Sequence, residues 1–379
     1  EVGPTATSSA PTPTPTPTPS ETAAPPVTFT IVAAGDILPH PSVYNAAKRD
    51  DGYDFLPQFA HTTPLISAAD LALCQMEVPI APPGTSPQGY PVFAAPPQLV
   101  DDLPAAGWDG CTLATNHAAD QGFAGLEATV QAFRANNLGY TGVGISDEDR
   151  AQVAMYRLTK EGRSITVAHV AGTYGLNGLP DPGDGFQAVN ELGDIITAAK
   201  RAREAGADIV VAGPQWGEEY QSVPNADQRA LAQELADSGA VDIIFGCHPH
   251  VPQPIETLTS SDGRSVPIIY SMGNFIHGQS EECCTLASLT GVAVQVEVTA
   301  SDDGISVGQM RYTPITTDRD AGTKNYRLTA LAAGEMSDST LSQAEAERRL
   351  ANVVEVMGED LLTTDLPAGG ADVELLDRQ

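Results

Sequence analysis

The chain has 379 residues, 41% of them hydrophobic, and its 49 acidic against 19 basic side chains leave a net charge of −30. That length supplies a core for one large domain or two ordinary ones, while so acidic a field repels phosphate backbones and anionic membranes, which excludes nucleic acid as a partner. No apolar run reaches the roughly 18 residues needed to cross a bilayer, so no transmembrane segment is expected in this chain.

In chain order, the first segment is "TATSSAPTPTPTPTPSETAAPP" (5–26), which alternates Pro with Thr and is almost devoid of apolar side chains. It cannot bury enough surface to fold, and its prolines hold it extended. Residues 1–27 therefore read as a disordered linker, and a Ser/Thr/Pro stalk of this kind points to an exported protein held at the cell surface. Because the chain opens at Glu1 rather than Met, a signal peptide or lipoprotein anchor is expected upstream of it.

From Val27 onward, short apolar runs alternate with segments of helical period. Strands are expected at 27–36, 70–78, 110–117, 164–172, 208–217 and 241–250, and helices at 122–137, 191–206 and 225–239. Strand, helix, strand in repetition predicts βαβ units with largely parallel sheets, and the unbroken apolar runs fit sheets covered on both faces. After 265 the texture changes to "VPIIYSMGNFI", "GVAVQVEVT" and "ISVGQMRYTPI", which predicts antiparallel strands. Residues 28–325 read as the main domain and 326–379 as a helical segment with a frayed tail. In that last segment Ser342 and Glu345 form a capping-box pattern ahead of an apolar stripe of Leu350, Val353, Val354 and Met357.

The polar residues gather where the strands end. The first strand closes in Asp36, with His40 four residues on; the second carries Gln75 and Glu77; the third ends in Asn116, His117 and Asp120. The strand at 208 ends in Gln215, Trp216, Glu218 and Glu219, and the one at 241 ends in Cys247-His248-Pro249-His250. Carboxyl ends of parallel strands converge on the binding crevice of an α/β sheet. Taken singly these residues are ordinary: an Asp after Gly is a turn, His-x-His is a hydrogen-bonded loop, and Asn116 is placed to cap a helix near Ala119. Five strand ends bearing Asp, Glu, Asn and His together make an oxygen-and-nitrogen cage for a metal.

The five cysteines contain no CxxC pair, so a thiolate zinc site is not indicated. Cys74 and Cys111 read as small buried thiols. Cys247 is a candidate partner for Cys283 or Cys284, because adjacent cysteines seldom bond to each other.

"GDILPH", "QMEVPI", "TNHAADQG", "QWGEEY", "GCHPHVPQ" and "YSMGNF" resemble, in order and spacing, the motifs of the CapA-type poly-γ-glutamate and capsule-synthesis family, within the calcineurin-like metallophosphoesterase superfamily. The resemblance implies a four-layer αββα sandwich with mixed sheets and one or two divalent ions (Mn, Zn, Fe or Mg) between them. It implies that Asp36 and His250 bind the first metal, that Glu77 bridges, and that Asn116 and His248 bind the second. His117 would protonate or stabilise the leaving group and Asp120 would orient it. His40, Gln75, Gln215, Trp216, Glu218 and Asn274 are further metal or site-lining candidates. Two positions depart from the family pattern: Gln215 stands where His is usual before Trp-Gly, and Gln75 where Asn or His is usual. Amide oxygen is a poorer ligand than imidazole for zinc or iron, which implies a weaker second metal. The expected function is a metal-dependent hydrolase or transferase of capsule-type polymer synthesis or anchoring, acting on a phosphoester or a γ-glutamyl amide in an anionic polymer or small molecule. The alternative is a non-catalytic surface binding or assembly protein on the same fold.

Overall fold

A computed structural model describes residue 3 and residues 24–377 of the chain; nearly all of the Pro/Thr linker, residues 4–23, lies outside the described residues. Two sheets make the body. The nine-stranded sheet runs Lys324–Arg327, Arg311–Asp318, Thr290–Ser301, Val27–Leu38, Leu71–Met76, Gly110–Thr112 and Gly139–Thr141. Asn274–His277 joins it beside Val27–Leu38, and Gly304–Val307 beside Thr290–Ser301. The seven-stranded sheet runs Pro252–Thr259, Ser265–Met272, Ile243–Phe245, Ile209–Gln215, Arg163–Thr173, Ala154–Lys160 and Asp372–Leu375.

The two-residue period of the strands sorts their side chains into layers. Along the first strand Phe29, Ile31 and Ala33 enter a core shared with Ile209, Val211, Ile243 and Phe245 of the other sheet. Val32 and Ala34 point the other way, into a core closed by Leu126, Val130 and Phe133 of the helix Gly122–Ala135. On the second sheet Val210, Ala212 and Ile244 pack outward against Ala198, Ala202, Leu235 and Ala236 of the helices Ile195–Glu204 and Ala226–Asp237. Helix, sheet, sheet, helix is the expected four-layer order.

The six strands expected to be parallel form two parallel sets, Val27–Leu38, Leu71–Met76 and Gly110–Thr112 in one sheet and Arg163–Thr173, Ile209–Gln215 and Ile243–Phe245 in the other. After 265 the antiparallel expectation needs correction. Thr290–Ser301 and Arg311–Asp318 pair antiparallel, but Ser265–Met272 is parallel to Ile243–Phe245 on one edge and Asn274–His277 is parallel to Val27–Leu38. Here one chain segment leaves the second sheet and enters the first, so its pairing is set by both sheets and not by a hairpin.

The expected frayed tail is also corrected, because Asp372–Leu375 adds an edge strand antiparallel to Ala154–Lys160. The helix Gln343–Met357 sends Val353 and Met357 into the core between the sheets, each contributing about 1.5–3 kcal/mol by burial. Its Ser342 hydroxyl accepts from the Glu345 amide as expected, but the reciprocal arm of the capping box is missing, since the Glu345 carboxylate takes Arg348 and Arg349 instead. Cys74 and Cys111 sit opposite each other on neighbouring strands and are bonded, Cys283 is bonded to Cys284, and Cys247 is a free buried thiol. The Cys247 bridge and the two thiols at 74 and 111 are therefore not what the fold contains: cross-strand adjacency pairs Cys74 with Cys111.

Candidate metal centre and its cavity

Gly35 carries the first strand to the crevice. A Cβ there would lie 1.7 Å from the Gly273 carbonyl oxygen, so only glycine lets the two backbones meet, and the Asp36 amide donates to that oxygen at 2.9 Å. Asp36 is thereby placed against the segment that brings Asn274. On the facing side, His248 and His250 both adopt left-handed backbone, with φ of +98° and +60°. Each costs on the order of 1–3 kcal/mol for a residue with a side chain, and such strain persists where the surroundings impose it. The loop is pinned by the Cys247 amide on Pro214 O at 3.1 Å and the Tyr220 amide on Pro249 O at 2.8 Å. The effect is to turn both imidazoles inward, where they are buried.

Glu77, His248 and His250 offer ligand atoms that all lie within 4.8 Å of one another. His250 Nδ1 contacts Asp36 Oδ2 at 3.0 Å and Asn274 Oδ1 at 3.1 Å, which directs its Nε2 toward Glu77 Oε1 at 3.6 Å. Asp36 thus stands behind His250, outside that trio. Asn274 is a brace: its Nδ2 donates to His250 O, Gln279 Oε1 and Ser288 O. Both Glu77 carboxylate oxygens, Asp36 Oδ1 and His248 Nδ1 are buried with no hydrogen-bond partner among the described residues. Stripping a carboxylate of every donor is costly, and the donor set of carboxylate plus two imidazoles suits a divalent ion. The residues fit such a group.

The electrostatics follow from burial. Burial pushes the Glu77 carboxyl well up, with the Asp36 charge adding to it and His250 opposing. Burial alone would lower His250, but Glu77 and the Asp36 hydrogen bond outweigh it and raise it to about 10. His248 is lowered by burial to about 3, with His250 and His117 adding to the shift, and is a neutral imidazole. The buried Cys247 thiol is pushed up and stays protonated.

The second half of the site is different. Gln215 Oε1 accepts from the Asn116 amide at 2.8 Å and from Thr173 Oγ1 at 2.6 Å, while its Nε2 donates to Asn116 Oδ1 at 2.7 Å. Asn116 Nδ2 donates to Asn177 Oδ1 at 3.2 Å. Asn116 does not cap a helix, which begins at Gly122 behind Gln121. Gln75 takes a hydrogen bond from Thr112, and its Nε2 is buried with no hydrogen-bond partner among the described residues.

Next to this lies His117, whose Nδ1 is 2.7 Å from Asp120 Oδ2; the same oxygen accepts from the Phe93 amide at 2.6 Å. Asp120 holds the Nδ1 proton, which leaves Nε2 to exchange protons. His117 and, of the trio, His250 open on a cavity of about 480 Å³ whose rim includes Tyr90, Phe93, Glu219, Tyr220 and Gln279. His40 lines it as well, but its Nδ1 is tied to the backbone at Leu38 and Gly278, and burial lowers it to about 4. Trp216 and Glu218 are not site-lining: the Trp216 ring is buried under the second sheet with its Nε1 on Tyr270 O, and Glu218 is exposed and off the cavity wall. Glu219 takes that place. Sequence reasoning also missed Tyr174, packed on His248 with ring centroids 4.6 Å apart, and Asn177. Both sit in a loop whose "GLNG" stretch reads as a turn.

Comparison with known proteins bears on the whole arrangement. The family model described as "Bacterial capsule synthesis protein PGA_cap" matches residues 30–279. The chain is 31% identical over 260 residues to the Capsule biosynthesis protein CapA of Bacillus anthracis, covering 66% of this chain and 60% of that protein. It is 35% identical over 173 residues to the PGA biosynthesis protein CapA of Bacillus subtilis, covering 44% of this chain and 42% of that one. The chain therefore spans about half the length of these relatives. Among solved structures it is similar to the calcineurin-like phosphoesterase YfkN of Bacillus subtilis, at 14% identity and a TM-score of 0.46 over 87% of this chain and 98% of that one. Matched over residues 30–279, the chain belongs to the bacterial capsule synthesis protein family PGA_cap.

Proposed function

We propose that the protein is a metal-dependent hydrolase or transferase of capsule-type polymer synthesis, acting in poly-γ-glutamate metabolism on a phosphoester or a γ-glutamyl amide. The observation that carries this reading is the Glu77 carboxylate, buried without a hydrogen bond between His248 and His250 and beside the His117–Asp120 pair. Glu77, His248 and His250 would hold a divalent ion, with Asp36 and Asn274 orienting His250. Such an ion supplies Lewis acidity and a water that ionises near neutral pH. His117 Nε2 gives up or takes a proton at the leaving group, and Asp120 keeps the imidazole in the required tautomer. The names of the Bacillus relatives support the polymer context. Export to the cell surface, by way of the Pro/Thr stalk, is supported by the Cys74–Cys111 and Cys283–Cys284 bonds, which oxidising compartments favour.

The test pairs elemental analysis of the purified chain with turnover of a chromogenic phosphodiester and of a γ-glutamyl anilide in added Mn²⁺. Bound metal with turnover of either substrate that is lost in His117→Ala supports the proposal; a chain that takes up no metal sinks it. The second reading, a binding or assembly protein, is favoured by the closed Asn116–Gln215 pair, and bound metal without turnover of either substrate would select it.

A further inference from the structure

Away from the Glu77, His248 and His250 trio, the cavity wall offers no side-chain cation for a polyanion. Neither Arg nor Lys lines the cavity among the described residues, although runs of phosphate or carboxylate are ordinarily met by such cations. Arg319 belongs to a neighbouring depression, which it lines together with Arg349, Glu281, Glu282, Asp318 and Asp320. Of the imidazoles on the wall, His117 is engaged by Asp120, His250 by Asp36 and Asn274, and His40 Nδ1 by the backbone at Leu38 and Gly278. The carboxylate on the cavity wall is Glu219, which is exposed and has no ion pair with Lys or Arg among the described residues.

Glu219 has a polar neighbour on the wall. The Tyr220 side chain lies beside its carboxylate, and the Tyr220 hydroxyl accepts from Gln279 Nε2 at 3.4 Å. Aromatic groups frame it. Tyr90 is 79% exposed and meets Phe93 edge-on at 6.4 Å. Phe93 in turn stands edge-on to His117 at 4.8 Å. A carboxylate set among aromatic faces is the chemistry that recognises an ammonium ion, through a charge-assisted hydrogen bond and cation–π attraction. The net charge of −30 concentrates cations at such a mouth.

We propose that this cavity selects a ligand by a primary ammonium group seated on Glu219 between Tyr90 and Tyr220. The proposal rests on the cavity being the substrate site of the function given above, and it narrows the substrate class. In a γ-linked glutamate chain every internal nitrogen is a neutral amide, so only the amino terminus satisfies Glu219. The protein then engages such a chain end-on, with the scissile or acceptor group a fixed distance from the amine, and it does not process along the chain. A lysine-type side-chain amine offers the same group from another source.

Calorimetric binding tests this on the metal-loaded full chain, with γ-glutamylglutamate, its N-acetyl derivative and Nα-acetyl-lysine as probes, on wild type and Glu219→Gln. The free dipeptide should bind wild type on the order of tenfold more tightly than the acetylated one. Glu219→Gln should abolish that preference while metal content and melting temperature stay unchanged. Nα-acetyl-lysine binding as tightly as the dipeptide would assign a side-chain amine as the source; its failure to bind would assign the chain terminus. Equal binding of free and acetylated dipeptide by wild type, absence of binding by all three, or a preference surviving Glu219→Gln would overturn the proposal. Turnover does not enter, so a protein that hydrolyses nothing yet keeps the preference would refute the hydrolase and leave this inference standing.

Discussion

The two halves of the site are made from the same material, polar side chains at the ends of parallel strands, and they have settled their hydrogen bonds in opposite ways. Around His250, Asp36 and Asn274 fill one ring nitrogen while both oxygens of Glu77 go without a donor. Around Gln215, amide meets amide: each polar atom of its side chain is used, by Asn116 and Thr173. A buried carboxylate without a hydrogen bond is far more costly than a satisfied amide pair. The first half is therefore open to a cation, whereas the second is complete by itself. At 215, where the family resemblance implies an imidazole, the glutamine closes a hydrogen-bond bridge to Asn116.

The comparison can be broken most sharply through chemistry. His117→Ala should leave metal content unchanged and lower turnover on the order of 10²–10⁴-fold, the usual loss for a general acid. Steady-state rates beside elemental analysis check it, and metal lost in parallel with rate would move His117 into the ligand set. Next in size, Glu77→Gln or His250→Ala should release the metal and with it the ligand-linked stability, about 2.7 kcal/mol at a hundredfold excess of metal over Kd. Thermal melts with and without Mn²⁺ would then coincide. If the mutants keep a metal-dependent shift, the unsatisfied half is not the metal half.

The closed half predicts a smaller and purely structural effect. Gln215→Ala strands the Asn116 amide in the interior and should cost about 1–3 kcal/mol, equally with and without metal in denaturant titrations. Gln215→His should do the reverse for binding, adding a nitrogen ligand and a measurable second site for Mn²⁺ or Zn²⁺ in calorimetry. One site per chain in both proteins would show that the bridge has closed that position for good.

The smallest effect uses a carboxylate outside the site as a control. Asp109 accepts from the Ala72 amide at 2.8 Å, and burial, opposed by that bond, raises it from 3.8 to about 6. A carboxyl that holds its proton more tightly when folded adds stability below about pH 4 and loses it as pH rises through about 6. Asp109→Asn, which keeps an acceptor for Ala72, should therefore stabilise the protein above pH 6, and the gain should fade toward pH 4. Partial exposure screens the charge, so the gain is on the order of 1 kcal/mol. Melting temperatures across that range measure it, and a gain that grows as pH falls would reverse the sign.

The candidate site was legible where strand and motif coincide. Asp36, Glu77, His117, Asp120 and His250 all reach the crevice because each follows an apolar run whose direction is set by the βαβ order. Glu219 was not separable from Glu218, since a strand's alternation ends at Gln215 and nothing local says which of two adjacent glutamates turns inward. Tyr90, Phe93 and Asn177 come from loops, whose paths are decided by what they pack against.

By itself, the amino-acid order determined strands and helices in βαβ succession, and the unbroken apolar runs of the strands called for sheets covered on both faces; the four-layer order was implied by the family resemblance. It determined as well that a cluster of ligand-type residues would meet at one crevice. Only the tertiary structure decided which of them are partners and which are braces. That Asn274 supports His250, that Gln215 seals Asn116, that Cys74 bonds Cys111 and that residues 372–375 complete a sheet depends on contacts between segments far apart in the chain. Hydrogen bonds and disulfides act over a few ångströms, and sequence spacing carries no record of that distance once the chain has crossed from one sheet to the other.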